Sequence, residues 1–287
     1  MKRFGLLLLV AIGCFFLLSK KGKQVKNMGL SYITSPSYIN EEGATVSERI
    51  LLPEGFKRAS YPKNSFSEYM QQYALLSFDS EVINYDGNPY FYQKGHVGVL
   101  DVSVPSHGLM QCADVLIRLR AEYLWDQNRK DEIGFNFTSG HYCSWKKYAE
   151  GFRPKVSGNR VTFHKTASAN SSKENFYKYL DLIYMYAGTI SLYNEMQKIN
   201  TIEEIEVGDM LIYPGSPGHI IMVADKAVNA NGEILFIFAQ GNTPSQSAHI
   251  IKNLNDLSIN PWYEIELGES LAIPTYTFGE VKFIRFK

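Results

Sequence analysis

Three short apolar runs dominate the second half of the chain. Met210 to Tyr213, His219 to Ala224 and Ile234 to Ala239 are each long enough for one strand, and Pro214-Gly215 and Asn231-Gly232 fall between them as turn formers. The pattern predicts consecutive antiparallel strands. Upstream, Leu109, Cys112, Val115, Leu116, Leu119 and Tyr123 recur at helical spacing, while Asp114, Arg118, Arg120 and Glu122 fill much of the remainder. The segment Leu109 to Trp125 is therefore the expected central helix. Arg118 and Glu122 stand one turn apart on it, and Arg118 and Arg120 read as a solvated or locally paired face.

Weaker patterns complete the fold. Ser65-Phe66-Ser67-Glu68 has the capping-box form and predicts a helix over about 66–76. Val82 to Tyr85 and Tyr90 to Gln93, about Asp86-Gly87, suggest a hairpin, and Val97 to Val104 a strand. Residues 128–170 read as a polar excursion with an aromatic helix at Trp145 to Tyr148 and a strand at Val161 to His164. A helical region, Lys173 to Ile199, follows with a break at Ala187-Gly188-Thr189. His249 to Lys252 and Val281 to Phe286 are the last expected strands. The fold class is α+β: an antiparallel sheet packed on a central helix carrying Cys112, within one domain over 49–287 and with an insertion at about 128–200. Residues 20–48 are polar without apolar periodicity and are expected to form a flexible tether.

At the amino terminus, Lys2 and Arg3 precede an uncharged run from Phe4 to Leu18, and Lys20, Lys21 and Lys23 follow. That run is shorter than the roughly 20 residues a spanning helix needs, so residues 1–19 are expected to be an export signal. Val10-Ala11-Ile12-Gly13-Cys14 resembles the lipobox of bacterial lipoproteins, which implies lipidation of Cys14. Phe15 to Leu18 stay apolar past that cysteine, which leaves an uncleaved anchor as the alternative. Both readings put the domain outside the cytoplasm, membrane-anchored through its amino terminus.

Composition narrows the partners. Lys+Arg and Asp+Glu are both 29, so there is no basic excess of the kind that neutralises phosphates, and no nucleic-acid partner is expected. The 19 Tyr and 17 Phe suit a mixed core and equally a groove for carbohydrate or peptide. Besides Cys14 the cysteines are Cys112 and Cys143, for which a disulfide competes with a reactive thiol at Cys112. No cysteine or histidine spacing matches a zinc site, so neither metal nor cofactor is expected.

The candidate chemistry centres on Cys112 and His219. Cys112 falls in the first helical turn, where unpaired N–H groups and the helix dipole favour an anion, so its thiol is expected to ionise readily. His219 opens the middle strand after Pro217-Gly218, and 21 residues separate it from Gln240. An up-and-back hairpin of that length brings an amide, from Gln240 or Asn242, toward the imidazole. Gly95-His96-Val97-Gly98-Val99 mimics the pattern at His219, but His219 alone has the preceding Gly208-Asp209 strand and the following Gln240. A half-buried strand histidine is the plain alternative for His219. His107, His141, His164 and His249 read as loop or surface residues, and Asp209 as a turn cap.

Gln111-Cys112 heading a helix, then Gly-Asp and a strand, Gly-His and a strand, and a strand ending Gln-x-Asn is similar to the papain-like CHAP amidases of bacterial cell-wall turnover. That resemblance implies Cys112 as nucleophile, His219 as base, Gln240 or Asn242 as its orienting residue, and the Cys112 N–H with Gln111 facing an oxyanion. The separation of 107 positions from Cys112 to His219 exceeds what compact members of that family need, so the insertion either builds the groove or covers it. Gln240, unlike the family's frequent glutamate, orients an imidazole without a charge to stabilise imidazolium. Over the longer span Leu52 to Phe286, LPEGFKR, QCADVLIRLRAEYL, AGTISL, PGHIIMV and AQGN resemble an uncharacterised family of bacterial exported proteins catalogued as a domain of unknown function. The expected function is a membrane-tethered thiol hydrolase acting on an amide bond, with peptidoglycan peptide or another extracytoplasmic peptide as substrate. A non-catalytic papain-like binding or assembly lipoprotein, and an acyltransferase using the same residues, are the alternatives.

Overall fold

Residues 19–287 are described by a computed structural model; the amino-terminal apolar run and Cys14 lie outside the described residues. The helices are α1 (Lys20–Ile33), α2 (Val46–Arg49), α3 (Phe66–Gln71), α4 (Cys112–Asp126), α5 (Trp145–Ala149), α6 (Lys173–Tyr186) and α7 (Thr189–Glu195). The strands are β1 (Phe56–Arg58), β2 (His96–Val99), β3 (Gly134–Asn136), β4 (Tyr142–Ser144), β5 (Phe152–Ser157), β6 (Arg160–Lys165), β7 (Gln197–Ile199), β8 (Met210–Tyr213), β9 (His219–Asn229), β10 (Ile234–Gln240), β11 (His249–Ile251), β12 (Leu271–Ile273), β13 (Tyr276–Phe278) and β14 (Phe283–Arg285).

One antiparallel sheet runs in the order β2-β11-β10-β9-β8-β14-β7, and β1 pairs with the far half of β9. The three strands expected from the apolar runs sit together at its centre, and β9 is buried from His219 to Ala227. Burial along the whole strand explains why its sequence reads as an apolar run and not as an alternation. A bulge between Ile237 and Phe238 of β10 skips Ala224 of β9. Just past it, Asp225 accepts from Arg58 Nε and from Gln71 Nε2, each at 2.7 Å, which fastens β1 and α3 to the long strand.

Helix α4 packs on β9 with most of its surface buried, because the segment after Asn128 covers its outer side. Trp125 meets Phe176 at 4.5 Å between ring centroids, and Tyr177 Oη donates to Glu122 Oε1 at 2.8 Å. Arg118 is consequently buried and not solvated; it pairs with Glu122 at 2.9 Å and donates to the Ser103 carbonyl at 2.7 Å.

Several elements depart from the sequence expectation. The segment expected to be a flexible tether begins with α1, capped by Ser19 and docked through polar contacts: Tyr92 Oη to Ser31 Oγ at 2.7 Å and Gln24 Nε2 to the Thr275 carbonyl at 3.3 Å. Its apolar contacts are few, Met28 against the Val82, Tyr90, Tyr92 and Val99 cluster and Tyr32 near Tyr92, and they leave little apolar periodicity to read. Helix α3 has the expected Ser65 cap but stops at Gln71, because the backbone of 73–76 is bonded to Val46, Ala44 and Val99. Residues 197–199, expected to be helical, form β7 because the closing strand β14 pairs with them. The break at 187–188 separates α6 from α7 as expected. The hairpins β3–β4 and β12–β13 were not legible as strands.

Candidate active site

Strand pairing determines which side chains meet. Gln240 of β10 lies directly opposite His249 of β11, so their side chains share a face. Met222 of β9 lies opposite Ala239. One step further along that register, Ile221 comes opposite Gln240, which makes His219 its diagonal neighbour on the same face. The amide closes that gap, and His219 Nε2 donates to Gln240 Oε1 at 3.0 Å. Tyr276 and Phe278 of β13 flank the imidazole, with ring centroids at 4.8 and 5.7 Å.

Cys112 approaches from the sheet's helical side. It is the first residue of α4, with Gln111 at the cap, and the Gln111 N–H donates to Asp114 Oδ2 at 2.9 Å. Gly241, just past β10, makes this approach possible: a Cβ there would stand 2.5 Å from Val115 Cγ2. The Cys112 sulfur lies within reach of the backbone N–H of Ile220, next to His219 in sequence. Cys112 and His219 line one cleft of about 730 Å³ together with Gln111, Asn242 and Tyr276. The insertion builds a wall of this cleft and does not seal it: Thr138, Tyr184 and Thr189 line it too. Thr189 Oγ1 also contacts the Gly215 carbonyl at 3.3 Å, tying α7 to the turn before His219.

The electrostatics correct one expectation. The N–H groups of Cys112, Ala113 and Ile220 favour the thiolate, but burial and the Asp114 carboxyl outweigh them and push the Cys112 thiol up to about 11. Burial likewise pulls His219 down to about 4, and it raises Asp114 to about 7. The resting pair is therefore a neutral thiol and a neutral imidazole.

Other candidates fall elsewhere. Asn242 lines the cleft, but its Oδ1 accepts from Thr243 N at 2.8 Å and the bond to His219 comes from Gln240. Gln111 Oε1 accepts from Thr243 Oγ1 at 3.1 Å. His96 stands on β2 with its ring 5.9 Å from that of His249, away from the residues lining the cleft. His249 is buried, not a surface residue, and bonds to Gln240. Cys112 and Cys143 are both free. Asp209 accepts from Glu206 N and pairs with Arg285, as a turn cap does. A second cavity, of about 620 Å³, holds Asp209, Glu206, Lys226 and Arg285, whose charges pair with one another.

Among the described residues, no group of three His, Cys, Asp or Glu is placed to hold a metal ion, and no helix is long and apolar enough to cross a membrane. Thr275, Tyr276 and Phe278 escaped sequence reasoning; the turn signal Pro274-Thr275 after Leu271 to Ile273 was the one available hint. No curated protein and no solved structure matches the chain. Residues 46–285 match the family described as a domain of unknown function (4846), and the chain belongs to that family.

Proposed function

We propose that the protein is a thiol hydrolase of an amide bond, built on a papain-like arrangement of helix and sheet. The observation that carries this reading is the 3.0 Å bond from His219 Nε2 to Gln240 Oε1 beside a cleft that Cys112 also lines. With its proton on Nε2, the imidazole keeps a lone pair on Nδ1 for the thiol proton. Cys112 Sγ attacks the carbonyl carbon as His219 takes that proton, and His219 returns it to the leaving amine. Water then hydrolyses the thioester. The Cys112 N–H, which has no intrahelical partner, faces the developing oxyanion. The Gln111 amide adds its NH₂, since its oxygen is engaged by Thr243. With both groups neutral at rest, proton transfer accompanies attack and does not precede it.

A peptide from peptidoglycan fits the open, mixed polar and apolar cleft, and an extracytoplasmic, membrane-anchored location goes with that substrate. An acyltransferase using the same residues would share the first step. The burial of Cys112 favours a second reading, a binding or assembly protein that keeps the frame without turnover.

Two measurements on the purified full-length chain separate these readings. A muropeptide mixture from bacterial cell wall, followed by mass spectrometry, should lose amide bonds with wild type and not with Cys112→Ala. Iodoacetamide should label Cys112 faster than Cys143, because Cys112 lines the cleft whereas Cys143 is packed in the core, where burial pushes its thiol up further. His219→Ala should slow the Cys112 reaction. Equal, slow labelling of both cysteines with no cleavage would leave only the binding reading.

A further inference from the structure

The orienting amide has a second face, and a residue outside the cleft occupies it. Gln240 Nε2 stands 3.0 Å from His249 Nε2, and His249 Nδ1 stands 2.9 Å from the Ser247 carbonyl oxygen. With the His219 bond these contacts form one continuous chain: Ser247 O, His249, Gln240, His219. We propose that His249 is a positioning residue that dictates which end of the Gln240 amide meets His219, and so which nitrogen of His219 is the base.

Donors and acceptors alone decide the orientation. A backbone carbonyl can accept but not donate, so His249 Nδ1 carries the proton. His249 is buried, and burial holds its imidazole down to about 4, so it is neutral near pH 7 and its Nε2 is a bare lone pair. A bare lone pair requires the NH₂ end of Gln240 to face it. The oxygen end is thereby turned to His219, whose Nε2 must then be the donor and whose Nδ1 must be the free base. The remaining polar neighbour of the amide, Thr275 Oγ1 at 3.3 Å, is a hydroxyl that can donate or accept, so it does not decide the orientation. Without His249 the two orientations of the amide become nearly equivalent. In the flipped one the NH₂ faces His219 Nε2, the proton moves to Nδ1, and the base is lost.

In what it says of turnover this rests on the hydrolase reading; in what it says of proton positions it does not. The decisive experiment is a long-range ¹H–¹⁵N spectrum of the ¹⁵N-histidine-labelled full-length protein near pH 7, assigned with single histidine variants. Wild type should show His219 protonated on Nε2 and His249 protonated on Nδ1. His249→Leu should turn the His219 signal into an average of both tautomers. His249→Met, whose thioether can accept but not donate, should restore the Nε2–H form. Wild-type tautomers other than these overturn the proposal even if no variant folds, as does an unchanged His219 in His249→Leu or a mixture persisting in His249→Met. On the muropeptide mixture, His249→Leu should lower kcat at least about twofold with KM little changed, the loss expected when two orientations share the population equally. No turnover in any form, with the tautomers as stated, would sink the hydrolase reading and leave the positioning role standing.

Discussion

Gly95-His96 and Gly218-His219 each open a strand of the same sheet, and each histidine is followed by apolar residues. Strand β2, which His96 begins, is the edge of the sheet with β11 as its sheet partner, whereas β9, which His219 begins, is flanked on both sides. The neighbours make the two imidazoles different. His96 Nδ1 is buried without a hydrogen-bond partner, and burial, with the nearby His249 and Lys252, drives the ring down to about 3. His219 has an amide on one nitrogen, an aromatic side chain against its face and the cleft of Cys112 beside it. A Gly-His strand start places a ring; the adjoining strands decide whether it can do chemistry.

The largest expected effect follows from that contrast. On the muropeptide mixture, His219→Ala should cost several orders of magnitude in kcat/KM, the usual loss when a base that acts with a nucleophile is removed. His96→Ala should stay within a few-fold of wild type. If the two variants lose the same activity, the separation between edge and centre carries no functional meaning.

Acid stability should instead make the two histidines look alike. His96 is held down to about 3 and His219 and His249 to about 4, burial being the largest cause in each, whereas an unfolded chain titrates near 6.5. Between those limits the unfolded state binds more protons than the native one. Stability should be complete above pH 6.5 and fall as pH drops toward about 4, by roughly 1.4 kcal/mol per pH unit for each such histidine. Urea midpoints at pH 7.5, 6 and 5 measure the slope. His96→Phe and His219→Phe should each flatten it by about one proton; a slope unchanged in either would mean that its ring is not held neutral.

How far this was legible in the chain depends on the range of the interactions. The strands β8, β9 and β10, the start of α4 and the pairing of His219 with Gln240 were readable, because each follows from local periodicity, a turn signal or the length of one hairpin. The state of the Cys112 thiol was not: the helix start argues for ready ionisation, and only packing shows that burial and Asp114 outweigh it. His249 was misplaced on the surface although its strand was expected, because nothing local shows that β10 and β2 pair on either side of that strand and bury the ring. The hairpin β12–β13 had too little length to stand out, yet it carries Thr275 to the Gln240 amide and Tyr276 and Phe278 to the imidazole.

The glycines before the two histidines give the finest test. A Cβ at Gly218 would meet Thr189 Oγ1 at 2.4 Å, the Gly215 carbonyl oxygen at 2.7 Å and the Tyr213 carbonyl oxygen at 2.9 Å. Two of those three are backbone, and backbone paired into β8 and its turn cannot yield. A Cβ at Gly95 would meet the Tyr92 ring at 2.7 Å and Pro274 Cβ at 3.1 Å, both side-chain atoms. Gly218→Ala should therefore lower stability by about 1–3 kcal/mol, the usual cost of overpacking. Gly95→Ala should cost less, since the one contact under 3 Å there is with a side-chain ring and not with two backbone carbonyls, and thermal unfolding of the two variants beside wild type measures the difference. Gly218→Ala should also slow Cys112 alkylation relative to Gly95→Ala, because the displaced turn carries His219 with it. Equal losses of stability from the two would show that the turn before β9 is as pliable as a tyrosine ring, and that the imbalance between the two strand starts lies in their hydrogen-bond partners alone.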